Sequence, residues 1–235
     1  MRGVVFERAG AVRVGDLPEP RIEEPGDAVV EVTRSAICGS DLHPYHGRFP
    51  MTPGESLGHE AVGVVREVGD DVRRVAPGDR VIVAFGIACG SCWYCLRGQT
   101  SLCDRFRNLG FGEYGGGLAG TQAERVRVPV ADVNLLAIPD GMDDERALFV
   151  GDILTTGFYG VSIAEPEAGD TVAVVGAGPV GFFCAQAALA RGADVLADDQ
   201  RQAEPRRRDR RRPADVQDAR ALALQPAVGL EVHPA

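Results

Sequence analysis

The chain has 235 residues, 45% of them hydrophobic, and a formal net charge of −9 at pH 7. The acidity argues against a general nucleic-acid binder, and the length allows one large or two modest domains. No apolar run is long enough to cross a bilayer as a helix. All 25 basic residues are arginine, and with abundant Ala, Gly, Val and Pro this suggests a GC-rich gene.

Residues 1–37 read as short strands broken by turn residues. Val4-Val5-Phe6, Val12-Arg13-Val14 and Ala28 to Val32 are separated by Gly10, Gly15-Asp16, Pro18, Pro20 and Pro25-Gly26-Asp27. Residues 61–68, 80–84 and 123–128 continue the pattern, which fits a barrel or sandwich. The N-terminus has Glu7 and no apolar core, so no signal peptide is expected and a cytoplasmic location follows by default.

After Asp140-Gly141 the period changes. Residues 143–156 read as an apolar helix, Thr171–Val175 as a buried strand, about 179–191 as a second apolar helix, and 194–197 as the next strand. An all-β unit is therefore followed by the start of a β-α-β unit. From about 200 the character changes again: residues 201–212 hold seven Arg with Pro205 and Pro213 close by, and no useful apolar periodicity follows. The expectation for 200–235 is a disordered tail, or the product of a frameshift or truncated gene model. The competing reading is a basic tail that binds anions.

Four of the six cysteines fall within fifteen residues: Cys89, Cys92, Cys95 and Cys103, at spacings of three, three and eight. In a reducing compartment such clustering reads as metal binding rather than disulfides. Four thiolates satisfy tetrahedral zinc and leave no open position, which predicts a structural site; an iron–sulfur cluster is the weaker alternative.

A second constellation starts at Cys38-Gly-Ser-Asp-Leu-His43 and continues at Gly58-His59-Glu60, with His59 21 residues beyond the cysteine. A thiolate and an imidazole suit zinc. A lone cysteine is more often a buried structural residue, but the pairing is more specific than either residue alone. Asp152 is a charge in an apolar helical segment; buried carboxylates are rare unless paired or metal-bound, and a helix cap or a salt bridge is the bland alternative. Gly176-Ala-Gly178-Pro179-Val180-Gly181 follows one predicted strand and opens one predicted helix, the context a dinucleotide fingerprint requires. Gly176 permits the turn, Gly178 the approach of a pyrophosphate, and Gly181 close helix–strand packing. Asp198 or Asp199, ending the next strand, suits a ribose.

Together, the Cys38 segment, Gly58-His59-Glu60, the four-cysteine lobe and the 176–181 glycines resemble the zinc-dependent medium-chain alcohol dehydrogenases over roughly residues 1–199. Gly151-Asp-Ile-Leu-Thr-Thr-Gly-Phe-Tyr-Gly160 is similar to their formaldehyde dehydrogenase-like branch, which has an aspartate where other members have a cysteine. The resemblance implies an α/β protein: a β-rich GroES-like catalytic domain over 1–150, with a structural zinc lobe at 86–107, then a partial Rossmann NAD-binding domain over 151–199. It implies two zinc ions per chain, one held by Cys38, His59 and Asp152 and one by the lobe. Glu60 matches a glutamate close to the catalytic metal, Ser40 the hydroxyl that takes the alcohol proton, and His43 a relay beyond it. Asp41 matches the carboxylate that orients the zinc-bound imidazole.

On the nucleotide side, Thr156 matches a threonine near the nicotinamide. Gly176, Gly178, Pro179, Val180, Gly181 and Asp199 match the cofactor site, and Asp199 favours NAD over NADP. His46 and His233 match nothing. The implied reaction is hydride transfer from a small-molecule alcohol or aldehyde adduct to NAD. A polyol substrate of sorbitol or threonine type is one alternative, and a catalytically silent zinc-binding fragment is another. Family members form homo-oligomers, through late segments that this chain does not match. No nucleic-acid or membrane partner is expected.

Overall fold

The alternating valine segments pair as their period-2 pattern requires. The computed structural model describes residues 1–198 and divides into two units, Met1–Asp152 and Ile153–Ala235. The expectations for Asp199, His233 and the Arg-rich tail lie outside the described residues. Among those described, no single helix is long and apolar enough to cross a membrane.

In the first unit, β1 (Arg2–Arg8) and β2 (Ala11–Asp16) form an antiparallel ribbon. After them come β3 (Ala28–Ser35), the short helix α1 (Leu42–Tyr45), β4 (Ala61–Val68) and β5 (Arg80–Val83). Two-residue strands β6 (Gly86–Ile87) and β7 (Arg107–Asn108) then pair across the cysteine segment. Next are β8 (Arg125–Val128), the single turn α2 (Ala131–Asn134), β9 (Leu135–Ala137) and the helix α3 (Asp144–Val150). The antiparallel sheet runs β8-β3-β4-β5-β9.

Alternation along the strands separates two apolar clusters. Ala61 and Val65 on β4, with Val81 and Val83 on β5, join Val30, Val126, Val128 and Leu109 on one face. Val62 and Ile82 point the other way and receive Ala147 and Leu148 of α3, together with Ile138. Asp143 caps α3 by accepting the Arg146 N–H at 2.8 Å, a placement preferred because the first-turn N–H groups lack helical acceptors.

A polar bridge also ties α3 to the sheet. Asp144 accepts a hydrogen bond from Thr33 Oγ1 at 2.6 Å and from Arg80 Nε at 3.1 Å. Arg80 in turn donates to the Met142 carbonyl at 2.8 Å. The hydrogen bonds from Thr33 and Arg80 hold the Asp144 carboxyl below the usual carboxylate range.

The second unit contains the helix α4 (Ile153–Ala164), β10 (Thr171–Val175), the helix α5 (Pro179–Ala190) and β11 (Asp194–Asp198). The two strands are parallel, with Thr171 opposite Asp194, so the predicted β-α-β unit is present. Val161 of α4 packs with Ala187 and Ala188 of α5 and with Ala193. Gly157 allows the helices to approach closely, because a Cβ there would lie 2.8 Å from the Cys184 amide nitrogen.

Two predicted elements are altered. Thr171–Val175, expected as a buried strand, alternates exposed and half-buried positions among the described residues. The helix expected over 143–156 is broken: α3 ends at Val150 and α4 begins at Ile153. Asp152 therefore lies in the break, not inside a helix. Apolar periodicity continues through the break, which is why the sequence pattern hides it.

Candidate metal centres

Two groups of side chains that could ligate a metal converge, both in the first unit. In each, one donor atom per residue lies within 4.8 Å of all the others: Cys89, Cys92, Cys95 and Cys103 in the first, and Cys38, His59, Glu60 and Asp152 in the second.

The lobe is built locally. Gly90, at φ +70°, turns the chain between Cys89 and Cys92. Gly98, at φ +73°, ends the single turn Cys95–Arg97. Such left-handed conformations suit glycine. Backbone N–H groups point at sulfur: Cys89 N to Cys103 Sγ at 3.2 Å, Arg105 N to Cys103 Sγ at 3.3 Å and Cys95 N to Cys92 Sγ at 3.5 Å. Cys89 Sγ and Cys95 Sγ are 4.0 Å apart, about twice a disulfide bond length.

The backbone N–H of Ser91 leads the groups that draw the Cys89 thiol down to about 5. Burial, followed by the neighbouring thiols, pushes Cys95 up to about 12. Four sulfurs this close cannot all carry charge without a cation among them, and the set suits a soft divalent metal. At the root of the lobe, Asn134 accepts from Ala88 N at 2.9 Å and returns a bond from Nδ2 to the Ala88 carbonyl at 3.0 Å.

The second centre is assembled from three distant segments. Cys38 follows β3 at the start of the turn Gly39–Asp41. His59 and Glu60 precede β4, and Asp152 follows α3. Cys38 Sγ lies 3.9 Å from Asp152 Oδ2, and His59 Nε2 lies 3.4 Å from the same oxygen. The other imidazole nitrogen, Nδ1, faces Asp41 Oδ1 at 3.1 Å as an ion pair, out of line for a hydrogen bond. Ser40 Oγ is 3.1 Å from His59 Nε2. Phe111 and Phe85 flank the imidazole, with ring centroids 5.3 Å and 6.4 Å away.

The electrostatics are those of a place for a cation. Burial alone would lower the His59 pKa, but Asp152, Asp41 and Cys38 outweigh it and push the imidazole up to about 12. Glu60 is buried, and Oε1 has no hydrogen-bond partner. Burial, then the Asp152 charge, pushes the Glu60 carboxyl up to about 7. An unpartnered buried carboxylate oxygen costs free energy, and a divalent cation among these donors removes that cost. The donor set therefore fits zinc.

His43 belongs to α1 and packs on Phe49, ring centroids 5.1 Å apart. Among the described residues no hydrogen bond joins it directly to Ser40. Thr156 lies at an exposed position of α4 in the second unit.

The 176–181 glycines link β10 to α5 with the geometry their spacing predicts. Gly176 has φ +100°, Gly178 caps α5, and Pro179 takes the first helical position. A Cβ on Gly181 would stand 1.9 Å from the Gly176 carbonyl oxygen. Asp144, Arg80, Asn134, Phe111 and Gln122 are site-supporting residues that no motif announces. Their only sequence signal is a polar or aromatic residue near a turn.

Comparison with known proteins fits this arrangement. Residues 24–140 match the alcohol dehydrogenase GroES-like domain. The zinc-type alcohol dehydrogenase-like protein AdhB of Bacillus subtilis is 42% identical over 210 residues, covering 85% of this chain and 56% of that protein. The glutathione-independent formaldehyde dehydrogenase of Pseudomonas aeruginosa is 40% identical over 210 residues, covering 83% and 53%. Among solved structures, alcohol dehydrogenase TADH from Thermus sp. ATN1 superposes with a TM-score of 0.81 at 48% identity, covering 84% of this chain and 57% of that one. The chain belongs to the zinc-type alcohol dehydrogenase family of oxidoreductases. It spans about half the length of these relatives.

Proposed function

We propose that this chain is a zinc- and NAD-dependent dehydrogenase of a small-molecule alcohol or aldehyde adduct, with Cys38, His59 and Asp152 as the ligands of a catalytic zinc. The observation that carries the reading is the convergence of Cys38, His59, Glu60 and Asp152 within 4.8 Å around a buried carboxylate oxygen without a partner. Three protein ligands leave a place for substrate oxygen, as catalytic zinc sites require. Bound there, zinc would supply Lewis acidity toward an alcohol hydroxyl, and a nicotinamide cofactor would supply the hydride acceptor.

The chain's own groups supply the rest. Ser40 Oγ, beside His59 Nε2, is placed to accept the hydroxyl proton. Phe85 and Phe111 limit water at the imidazole. Glu60, with Oε1 buried and unpartnered in the same space, would offer the ion a further oxygen donor. A second zinc in the four-cysteine lobe is structural.

The exposed amino end of α5, with Gly176, Gly178, Pro179, Val180 and Gly181, supports dinucleotide binding, since a helix N-terminus after a glycine turn favours phosphate. NAD rather than NADP rests on Asp199, outside the described residues. The formaldehyde dehydrogenase-like branch is favoured over the polyol enzymes by Asp152 as the third ligand.

A second reading is a chain that binds zinc without turnover. It draws on the two parallel strands among the described residues of the nucleotide unit, against about six in a complete doubly wound domain. Metal analysis of the purified chain, with alcohol-dependent NADH formation measured alongside, separates the two. Two zincs with turnover are expected; two zincs without turnover or NAD binding select the second reading, and one zinc removes the catalytic site altogether.

A further inference from the structure

The second metal centre depends on how His59 is turned. A metal-binding imidazole almost always has its other nitrogen engaged by a partner that fixes the ring's orientation. That partner is Asp41, whose Oδ1 faces Nδ1 at 3.1 Å, leaving Nε2 toward Cys38 and Asp152. Asp41 is buried, and its carboxylate can serve this purpose only if its own rotation is stopped.

Two donors stop it, both at Oδ2. One is the backbone N–H of Cys38 at 2.9 Å, within the same turn. The other comes from the far side of the fold. Gln122 donates from Nε2 to Asp41 Oδ2 at 3.2 Å, and also to the Ala36 carbonyl at 3.2 Å. These two acceptors fix which end of the amide faces Asp41, because the carbonyl end would meet two oxygens.

The backbone of Gln122 is itself clamped on both sides. Its N–H donates to Leu57 O at 2.9 Å, its carbonyl accepts from Val4 N at 2.7 Å, and the adjacent Thr121 N–H donates to Gly58 O at 2.9 Å. Close approach to the His59 segment requires the glycine there: Gly58 has φ +96°, and a Cβ would lie 2.7 Å from Gln122 N. One residue thus ties β1, the 57–58 segment and the Cys38 turn to a single carboxylate.

We infer that Gln122 is a positioning residue of the metal centre, holding Asp41 so that Nε2 of His59 is presented to the ion. The inference rests on the proposed metal site and extends it to a residue that no ligand motif contains.

The test uses the full chain loaded with cobalt(II). The four-thiolate lobe and a mixed cysteine–histidine–carboxylate site give separable absorption bands, so the lobe reports folding in the same sample. Gln122→Met keeps the length and removes the donor; Gln122→Glu keeps the shape and sets a carboxylate against Asp41. Metal affinity at the second site is expected to fall about 10-fold in Gln122→Met, the lower end for an outer partner of a metal ligand. It should fall further in Gln122→Glu, with the lobe band unchanged in both. If Gln122 acts through Asp41, Gln122→Met should cost nothing more in an Asp41→Asn background.

Wild-type affinity at the second site in both variants overturns the inference. So does equal weakening in the two, or loss of the lobe band with the second-site band, because either marks a role in packing alone. A wild-type chain that holds only the lobe metal overturns the proposed metal site itself, and the inference with it.

Discussion

The two candidate metal centres are built in opposite ways. The lobe takes four thiols from fifteen residues of chain, on glycine turns, with backbone N–H groups aimed at sulfur. The Cys38 centre takes ligands separated by as much as 114 residues, from a turn, a strand entrance and a break between helices. The lobe needs little beyond its own loop and the Asn134 anchor. The Cys38 centre needs the sheet, the Asp144 bridge and the Gln122 clamp. Locally built sites fold with their metal; a site built from distant segments inherits its geometry from packing.

That contrast can be broken most sharply at the lobe. Cys103→Ser should release one of two metals and unfold residues 86–107, at a cost on the order of several kcal/mol, because structural zinc contributes directly to folding. Metal content, thermal melting and limited proteolysis read this together. A variant with both metals and wild-type melting would mean the lobe does not use its metal for stability.

Asp152→Ala should act the other way. Metal at the Cys38 centre should weaken by at least the roughly 10–100-fold that loss of an outer-shell partner costs, while the lobe retains its ion. The Glu60 carboxyl should also titrate lower, since the Asp152 charge is one of the causes raising it. Unchanged total zinc would strike Asp152 from the ligand set.

The smallest effect concerns the bridge that holds α3, and with it Asp152. Asp144→Ala should lower stability by about 1.5–3 kcal/mol near neutral pH, the range for hydrogen bonds to a charged group. In the folded protein the Asp144 pKa lies below its usual value. The bridge therefore stabilises fully above the unfolded pKa of about 3.9 and fades as pH falls through the lower folded value. Urea unfolding should show the gap between wild type and variant narrowing from about pH 5 downward. A gap that is constant or widens in acid would rule out the ionised bridge.

The strands were legible because a half-buried sheet imposes a period of two on its side chains. Ala28 and Val30 face one cluster, as do Val81 and Val83, while Ile82 between them faces the other. The lobe was legible because all of its ligands share one loop. The glycine turn after β10 was legible because Gly176 and Gly181 answer local needs, a positive φ and a close carbonyl. The break at Gly151-Asp152 was not, since apolar residues continue on both sides. Nor was the packing of His43, whose imidazole lies against Phe49.

The sequence by itself determined the candidate metal-binding residues, the four-cysteine cluster among them, the order of an all-β unit before a β-α-β unit, and the turn that opens α5. These rest on residue chemistry and spacings of a few residues, which the chain states directly. Only the tertiary structure decided that Asp152 reaches Cys38 and His59, that Glu60 keeps an unpartnered oxygen in the same space, and that Gln122 holds Asp41. Those depend on which distant segments the sheet and α3 bring together, and packing of that kind has no local period to read.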